Sequence, residues 1–111
     1  YSKTKKMKTK IKIAPETLFL VHRIVRDASQ CVARTREEKV RKSILEELFK
    51  TLTSRCFTYT NNPNGRELSL TLKFYQMDAL FNCLIIANTS EIGFYEQNKL
   101  DMLKNKIHQL L

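Results

Sequence analysis

Lys6-Met7-Lys8-Thr9-Lys10-Ile11-Lys12-Ile13-Ala14-Pro15-Glu16 is the stretch that decides the fold of this chain. Lys6, Lys8, Lys10 and Lys12 alternate with Met7, Thr9, Ile11 and Ile13. A period of two predicts a half-buried strand with an ammonium row on its outer face. Pro15 and Glu16 then read as a first helical turn. Proline's missing N–H is tolerated there, and the carboxylate favours the positive end of the helix dipole. A strand that feeds directly into a helix is therefore the first unit of the fold.

Outward from this point, Leu18, Leu20, Val21, Ile24, Val25, Ala28, Cys31 and Val32 form an apolar stripe, with His22, Arg23, Arg26, Asp27, Gln30 and Arg34 opposite. The stripe has helical period and predicts a helix reaching about Arg34. Thr35-Arg36-Glu37-Glu38 is a capping-box pattern, which predicts a second helix to about Thr53 with Val40, Ile44, Leu45, Leu48, Phe49 and Leu52 inward. At about 100° per residue the two stripes point to nearly opposite faces, so a break near Arg34 is expected. Phe57 and Tyr59 alternate with Thr58 and Thr60, Asn61-Asn62-Pro63-Asn64-Gly65 carries turn chemistry, and Leu68, Leu70 and Leu72 alternate with Glu67, Ser69, Thr71 and Lys73. A hairpin is predicted here, with its aromatics in the core. A helix follows from about Phe74 to Ala87, then a loop over 88–93. A last helix carries Leu100, Leu103, Ile107, Leu110 and Leu111 on one stripe.

The expected fold class is thus α+β: a small antiparallel sheet of about three strands with about four helices, in the order β-α-α-β-β-α-α. With 111 residues and 13.1 kDa, 42% apolar and 28% charged, and only two Gly and two Pro, a single domain over 1–111 with a basic arm over about 1–13 is expected. The chain has no apolar run long enough to span a bilayer, so a soluble protein with no membrane partner is expected.

Net charge is +9, and residues 1–12 contribute +6 of it through Lys3, Lys5, Lys6, Lys8, Lys10 and Lys12 with no acid. So local an excess is a footprint for phosphates or an anionic surface. The same lysines would also keep a bare strand edge from pairing with other chains. Cys31, Cys56 and Cys83 make an odd number with no CxxC pair, giving no support to a disulfide framework or zinc site and pointing to a reducing, cytoplasmic setting. Cys31 and Cys83 are expected as small core residues, and Arg55 beside Cys56 could lower that thiol's pKa. His22 and His108 are expected to be solvated. There is no nucleophile elbow, phosphate loop or dinucleotide motif, so no enzyme activity and no cofactor is expected.

Residues 8–53 resemble the ribbon-helix-helix family of DNA-binding proteins. The likeness lies in Lys8-Thr9-Lys10-Ile11-Lys12-Ile13, the Pro15-Glu16 helix start and the capped opening Thr35-Arg36-Glu37-Glu38. The resemblance implies two chains pairing their strands into a ribbon that enters the major groove, while the second helix's start holds backbone phosphate. It implies that Lys8, Lys10 and Lys12 face DNA and that Thr35 and Arg36 meet phosphate. The span from Pro15 to Thr35 is longer than the family's, and Ala33-Arg34 stand where it has a Gly.

A hydrophobic self-similarity also runs through the chain at an offset of 59 residues: Ile11 and Ile13 onto Leu70 and Leu72, Leu18 onto Met77, Val21 onto Leu80, Val25 onto Leu84, Ala28 onto Ala87, and Ile44, Leu48 and Leu52 onto Leu103, Ile107 and Leu111. If it is a true repeat, the halves are two strand-helix-helix units related by a pseudo-twofold, and the first strand finds its partner within the chain instead of across a dimer. That outcome weakens the ribbon-helix-helix reading.

The expected function is a small basic nucleic-acid-binding protein of non-catalytic type, with phosphate contacts from Lys6, Lys8, Lys10, Lys12, Thr35 and Arg36. The alternative is a protein-protein interaction or assembly module, a homodimer or partner complex joined through Leu110 and Leu111.

Overall fold

The computed structural model describes residues 8–87 and 92–111. Its elements are β1 (Lys8–Ile13), α1 (Pro15–Ser29), α2 (Arg36–Asn61), β2 (Leu68–Lys73), α3 (Phe74–Ile86) and α4 (Phe94–Leu110). The class is α+β, and the order is strand-helix-helix twice. β1 and β2 form an antiparallel two-stranded ribbon within the chain.

The third strand expected over Phe57 to Thr60 does not form, because these residues are the last turns of α2. Four alternating residues are too few to outweigh a helix already running. The α2 stripe continues through Leu52 and Cys56, both buried, to the half-buried Tyr59. Extending a helix adds one hydrogen bond per residue fixed, whereas a new strand must find a partner. The Thr58 and Thr60 hydroxyls donate to the carbonyls of Ser54 and Cys56, which seats these β-branched residues in the helix. Phe57, expected in the core, is 67% exposed. The Asn-Pro-Asn-Gly segment ends the helix instead of turning a hairpin. Gly65 there holds φ +72°, and its N–H donates to the Tyr59 hydroxyl at 3.0 Å.

The first helix stops at Ser29 rather than near Arg34, and the Ser29 hydroxyl donates to the Arg26 carbonyl at 2.8 Å. Such local bonding competes with helix continuation. Cys31 and Val32 therefore leave the stripe and are exposed, against the expectation for Cys31. Cys83 is buried as expected, its thiol pushed up to about 11 by burial. Burial likewise raises the Cys56 thiol, opposite in direction to the lowering considered for Arg55.

The repeat expected from hydrophobic pattern is visible in the register. Ile11 lies opposite Leu70, its counterpart 59 residues on, and Ile13 and Thr9 lie opposite Leu68 and Leu72. A pseudo-twofold through the Ile11–Leu70 pair follows from that register. Leu18 and Met77, Val21 and Leu80, Val25 and Leu84, and Leu48 and Ile107 are buried in both halves, whereas Leu52 is buried and its counterpart Leu111 is exposed. The same offset relates two aromatic stacks. His22 of α1 stacks on Phe49 of α2 with ring centroids 4.7 Å apart, and Phe81 of α3 stacks on His108 of α4 at 5.4 Å. The residue types are swapped while the positions are kept. His22, expected in solvent, is half-buried, and its Nε2 lies 2.8 Å from the Thr53 hydroxyl. The halves are also interwoven, since α2 packs on α3 and α4 on α1. One core joins them.

Candidate nucleic-acid interface

The ribbon places three apolar side chains of β2 and two of β1 inward. Ile11, Ile13, Leu70 and Leu72 are buried and Leu68 packs against them. Alternation then forces the opposite face outward. Lys8, Lys10 and Lys12 of β1 are exposed, and the register sets them across from Lys73, Thr71 and Ser69 of β2. Six side chains thus share this face, four of them ammonium-bearing and none acidic. Alternate residues of a strand stand about 6.6 Å apart and paired strands about 4.8 Å, so the four lysines form a compact cationic surface. Lys6, expected in the same row, lies outside the described residues.

Lys73 differs from the other three. Its Nζ donates to the Tyr75 hydroxyl at 3.3 Å and lies 3.7 Å from the Glu47 carboxylate. The hydrogen bond to Tyr75, with the Tyr75 and Glu47 oxygens adding their negative potential, holds its pKa above the ordinary lysine range. Tyr75 in turn donates to Glu47 at 2.7 Å, and Gln76 Nε2 donates to the same oxygen at 3.0 Å. Gln76 Oε1 accepts from the Lys73 N–H at 2.9 Å, closing the start of α3. Lys8, Lys10 and Lys12 have no ion pair among the described residues.

Thr35 and Arg36 stand apart from the ribbon, at the opening of α2. The capping box forms as the sequence predicts: Thr35 Oγ1 accepts from the Glu38 N–H at 3.1 Å, and Glu38 Oε1 accepts from the Thr35 and Arg34 N–H groups at 3.0 and 2.9 Å. Those backbone bonds hold the Glu38 carboxyl below its usual range. The carboxylate occupies the place that a phosphate oxygen would take at these amides. Arg36 remains exposed, with no hydrogen bond among the described residues.

Ser69, Thr71 and Lys73 were absent from the expected contact set, although the Leu68, Leu70, Leu72 alternation already assigns them to the outer face. The 59-residue offset points to a partner for β1 within the chain but does not fix which β2 residues stand across from its lysines. Among the described residues no group of His, Cys, Asp or Glu is arranged to hold a metal, and no helix is long and apolar enough to cross a membrane. No protein-family model matches the chain, nor does any curated protein or solved structure.

Proposed function

We propose that this chain is a small basic nucleic-acid-binding protein of non-catalytic type, gripping backbone phosphates with the lysines of its ribbon. The observation that carries the reading is the outer face of the ribbon, where Lys8, Lys10, Lys12 and Lys73 stand beside Ser69 and Thr71 with no acid among them. A two-stranded antiparallel ribbon has the width that the major groove of B-form DNA admits, so duplex DNA is the favoured substrate class. Ammonium groups make point-charge contacts without fork geometry, so phosphate holding dominates over base reading. The ribbon-helix-helix resemblance is weakened as a guide to this reading, because β1 finds its partner in β2 of the same chain. Pairing within one chain departs from that family's two-chain ribbon, so the resemblance lends no argument about assembly.

Salt dependence tests the mechanism. Three freely available lysines give a log–log slope of about −3 on duplex DNA by counterion release. Electrophoretic binding across a salt series, with duplex, single strand and RNA side by side, measures it. The Lys8→Glu/Lys10→Glu/Lys12→Glu variant should lose binding. Tight binding that is indifferent to salt would sink the proposal.

The second reading, an assembly module, is favoured by one observation: Leu110 and Leu111 remain 43% and 39% exposed at the end of α4. A solution mass of twice the chain that persists in the triple lysine variant would favour it.

A further inference from the structure

The offset of 59 residues relates two sites that have diverged in charge. At the start of α3 the Glu47 carboxylate receives hydrogen bonds from Tyr75 and Gln76 and sits beside Lys73. The counterpart of Gln76 in the other half is Thr17, at the start of α1, and the counterpart of Glu47 is Lys106, on α4. The internal carboxylate of one half is thus replaced by an ammonium in the other. Thr17 is too short to reach back as Gln76 does, and a cavity of about 130 Å³ opens beside it.

Lys12 from β1, Lys99 and Lys106 from α4, and Thr17 from α1 line that cavity, with Glu67 as its one acidic wall residue. Formal charge around it is therefore positive. Thr17 is only 4% exposed. Its hydroxyl has no hydrogen-bond partner among the described residues and is open to solvent, whereas those of Thr51, Thr58 and Thr60 each donate to a carbonyl four residues back. The α1 terminus above it has no side-chain cap. Pro15 removes one amide and the Leu18 N–H is taken by the Ala14 carbonyl, which leaves the Glu16 and Thr17 N–H groups without intrahelical acceptors. The Glu16 carboxylate, the nearest internal candidate, instead accepts from the Tyr95 hydroxyl at 3.2 Å. Lys99 lies over the ring of that tyrosine, 5.5 Å from its centroid.

We infer that the cavity between the β1–α1 junction and α4 is a binding site for one phosphoryl group, held by Lys12, Lys99, Lys106, the Thr17 hydroxyl and the free amides of α1. The anion supplies from outside what Glu47 supplies from within at the other half. Uncapped helix amides and convergent ammoniums are the two elements that phosphate oxygens require. The inference goes beyond the ribbon reading and does not depend on it. The source of the phosphoryl group, a nucleic-acid backbone or a free phosphate, is distinguished by the test.

The test is amide NMR of the full chain at constant ionic strength, with inorganic phosphate added against a chloride control. Saturable shifts at the Glu16 and Thr17 amides are expected. They should weaken by about tenfold or more in Lys99→Gln/Lys106→Gln, and by less in Thr17→Val, while Lys8→Glu/Lys10→Glu leaves phosphate affinity intact. A short duplex that moves the same two amides identifies the occupant as a backbone phosphate; a duplex that moves only ribbon amides identifies a free phosphate. Absence of saturable shifts, or equal shifts in the folded double glutamine variant, overturns the site. Loss of duplex binding in Lys8→Glu/Lys10→Glu, which keeps Lys12, with phosphate shifts preserved separates the two proposals.

Discussion

The two halves of the chain share a core and differ at their polar ends. Positions that face inward tolerate exchange within a chemical class, so Leu18 answers to Met77, Val21 to Leu80 and Leu48 to Ile107, all of them 0–1% exposed. Even the aromatic stack survives an exchange of partners, His on Phe in one half and Phe on His in the other. Packing requires volume and apolar surface at a place, and several residues meet that need. Polar positions are less forgiving because each requires its own partner. The α3 start is closed by Gln76 and Glu47, whereas the α1 start faces Thr17 and Lys106. The ribbon shows the same split, with three lysines on β1 that have no ion pair among the described residues opposite Ser69, Thr71 and a tethered Lys73. Fold is repeated across the halves; charge is not.

The largest effects should come from breaking the shared core evenly. Leu48→Ala and Ile107→Ala remove counterpart side chains, each 0% exposed, and each should cost about 2–5 kcal/mol. Urea unfolding should give one transition in both variants, because α2 packs on α3 and α4 on α1. Two separated transitions, or a loss in only one variant, would show that the halves are not one cooperative unit. Next comes Glu47→Ala. It strands the Gln76 amide, whose residue is 4% exposed, and should cost about 1–3 kcal/mol. The counterpart change Lys106→Ala should stay within about 0.5 kcal/mol, since no hydrogen bond of Lys106 is present among the described residues. Equal losses at the two positions would erase the distinction between a closed site and an open one.

How much of this was legible in the sequence follows from the range of the interactions concerned. Alternation over Lys8–Ile13 and Leu68–Lys73 is local, and both strands appear where it predicts them. The Thr35–Glu38 capping box is local too, and it forms with every bond anticipated. Four residues of alternation at Phe57–Thr60 suggest a strand only when taken apart from the helix that precedes them. Leu52, Cys56 and Tyr59 stand at helical spacing and carried the competing signal. Pairing of β1 with β2 was contained in the 59-residue offset, but hydrophobic pattern alone cannot separate a repeat from two similar amphipathic segments. The meeting of Lys12 with Lys99 and Lys106 was out of reach, because it joins a strand to a helix nearly ninety positions away and leaves no periodic trace.

A smaller contrast lies at the second helices. α2 opens on a side-chain cap and α4 on Gly93, which has none. Thr35→Ala should therefore cost about 1 kcal/mol in chemical unfolding, whereas Gly93→Ser should cost less, since Gly93 has φ −75° and a serine hydroxyl would add a cap once the flexible Glu96 side chain, 3.2 Å from the new Cβ, gives way. The capping box also carries an acid dependence. Its hydrogen bonds lower the Glu38 pKa in the folded chain, so its contribution is present above the unfolded carboxyl pKa and is lost as pH falls through the folded one. Glu38→Gln should flatten the acid limb of a stability–pH curve, and an unchanged limb would remove Glu38 from it.

The smallest effect belongs to His22, and it turns the swapped stack into a pH comparison. Burial against Phe49, followed by the nearby Arg26 charge, lowers the His22 pKa below 6.5. The unfolded chain then binds the proton more readily than the folded one. Stability supplied by neutral His22 is present above about pH 6.5 and declines as pH falls toward the folded value, after which it levels. His22→Phe copies the residue that the other half uses at position 81 and removes the titration. Its thermal midpoint should be less sensitive to pH between about 7 and 5 than that of the parent chain, despite the lost contact with Thr53. A parallel pH dependence in both proteins would mean that the proton taken up on unfolding belongs to another group, and that the stack is held by shape alone.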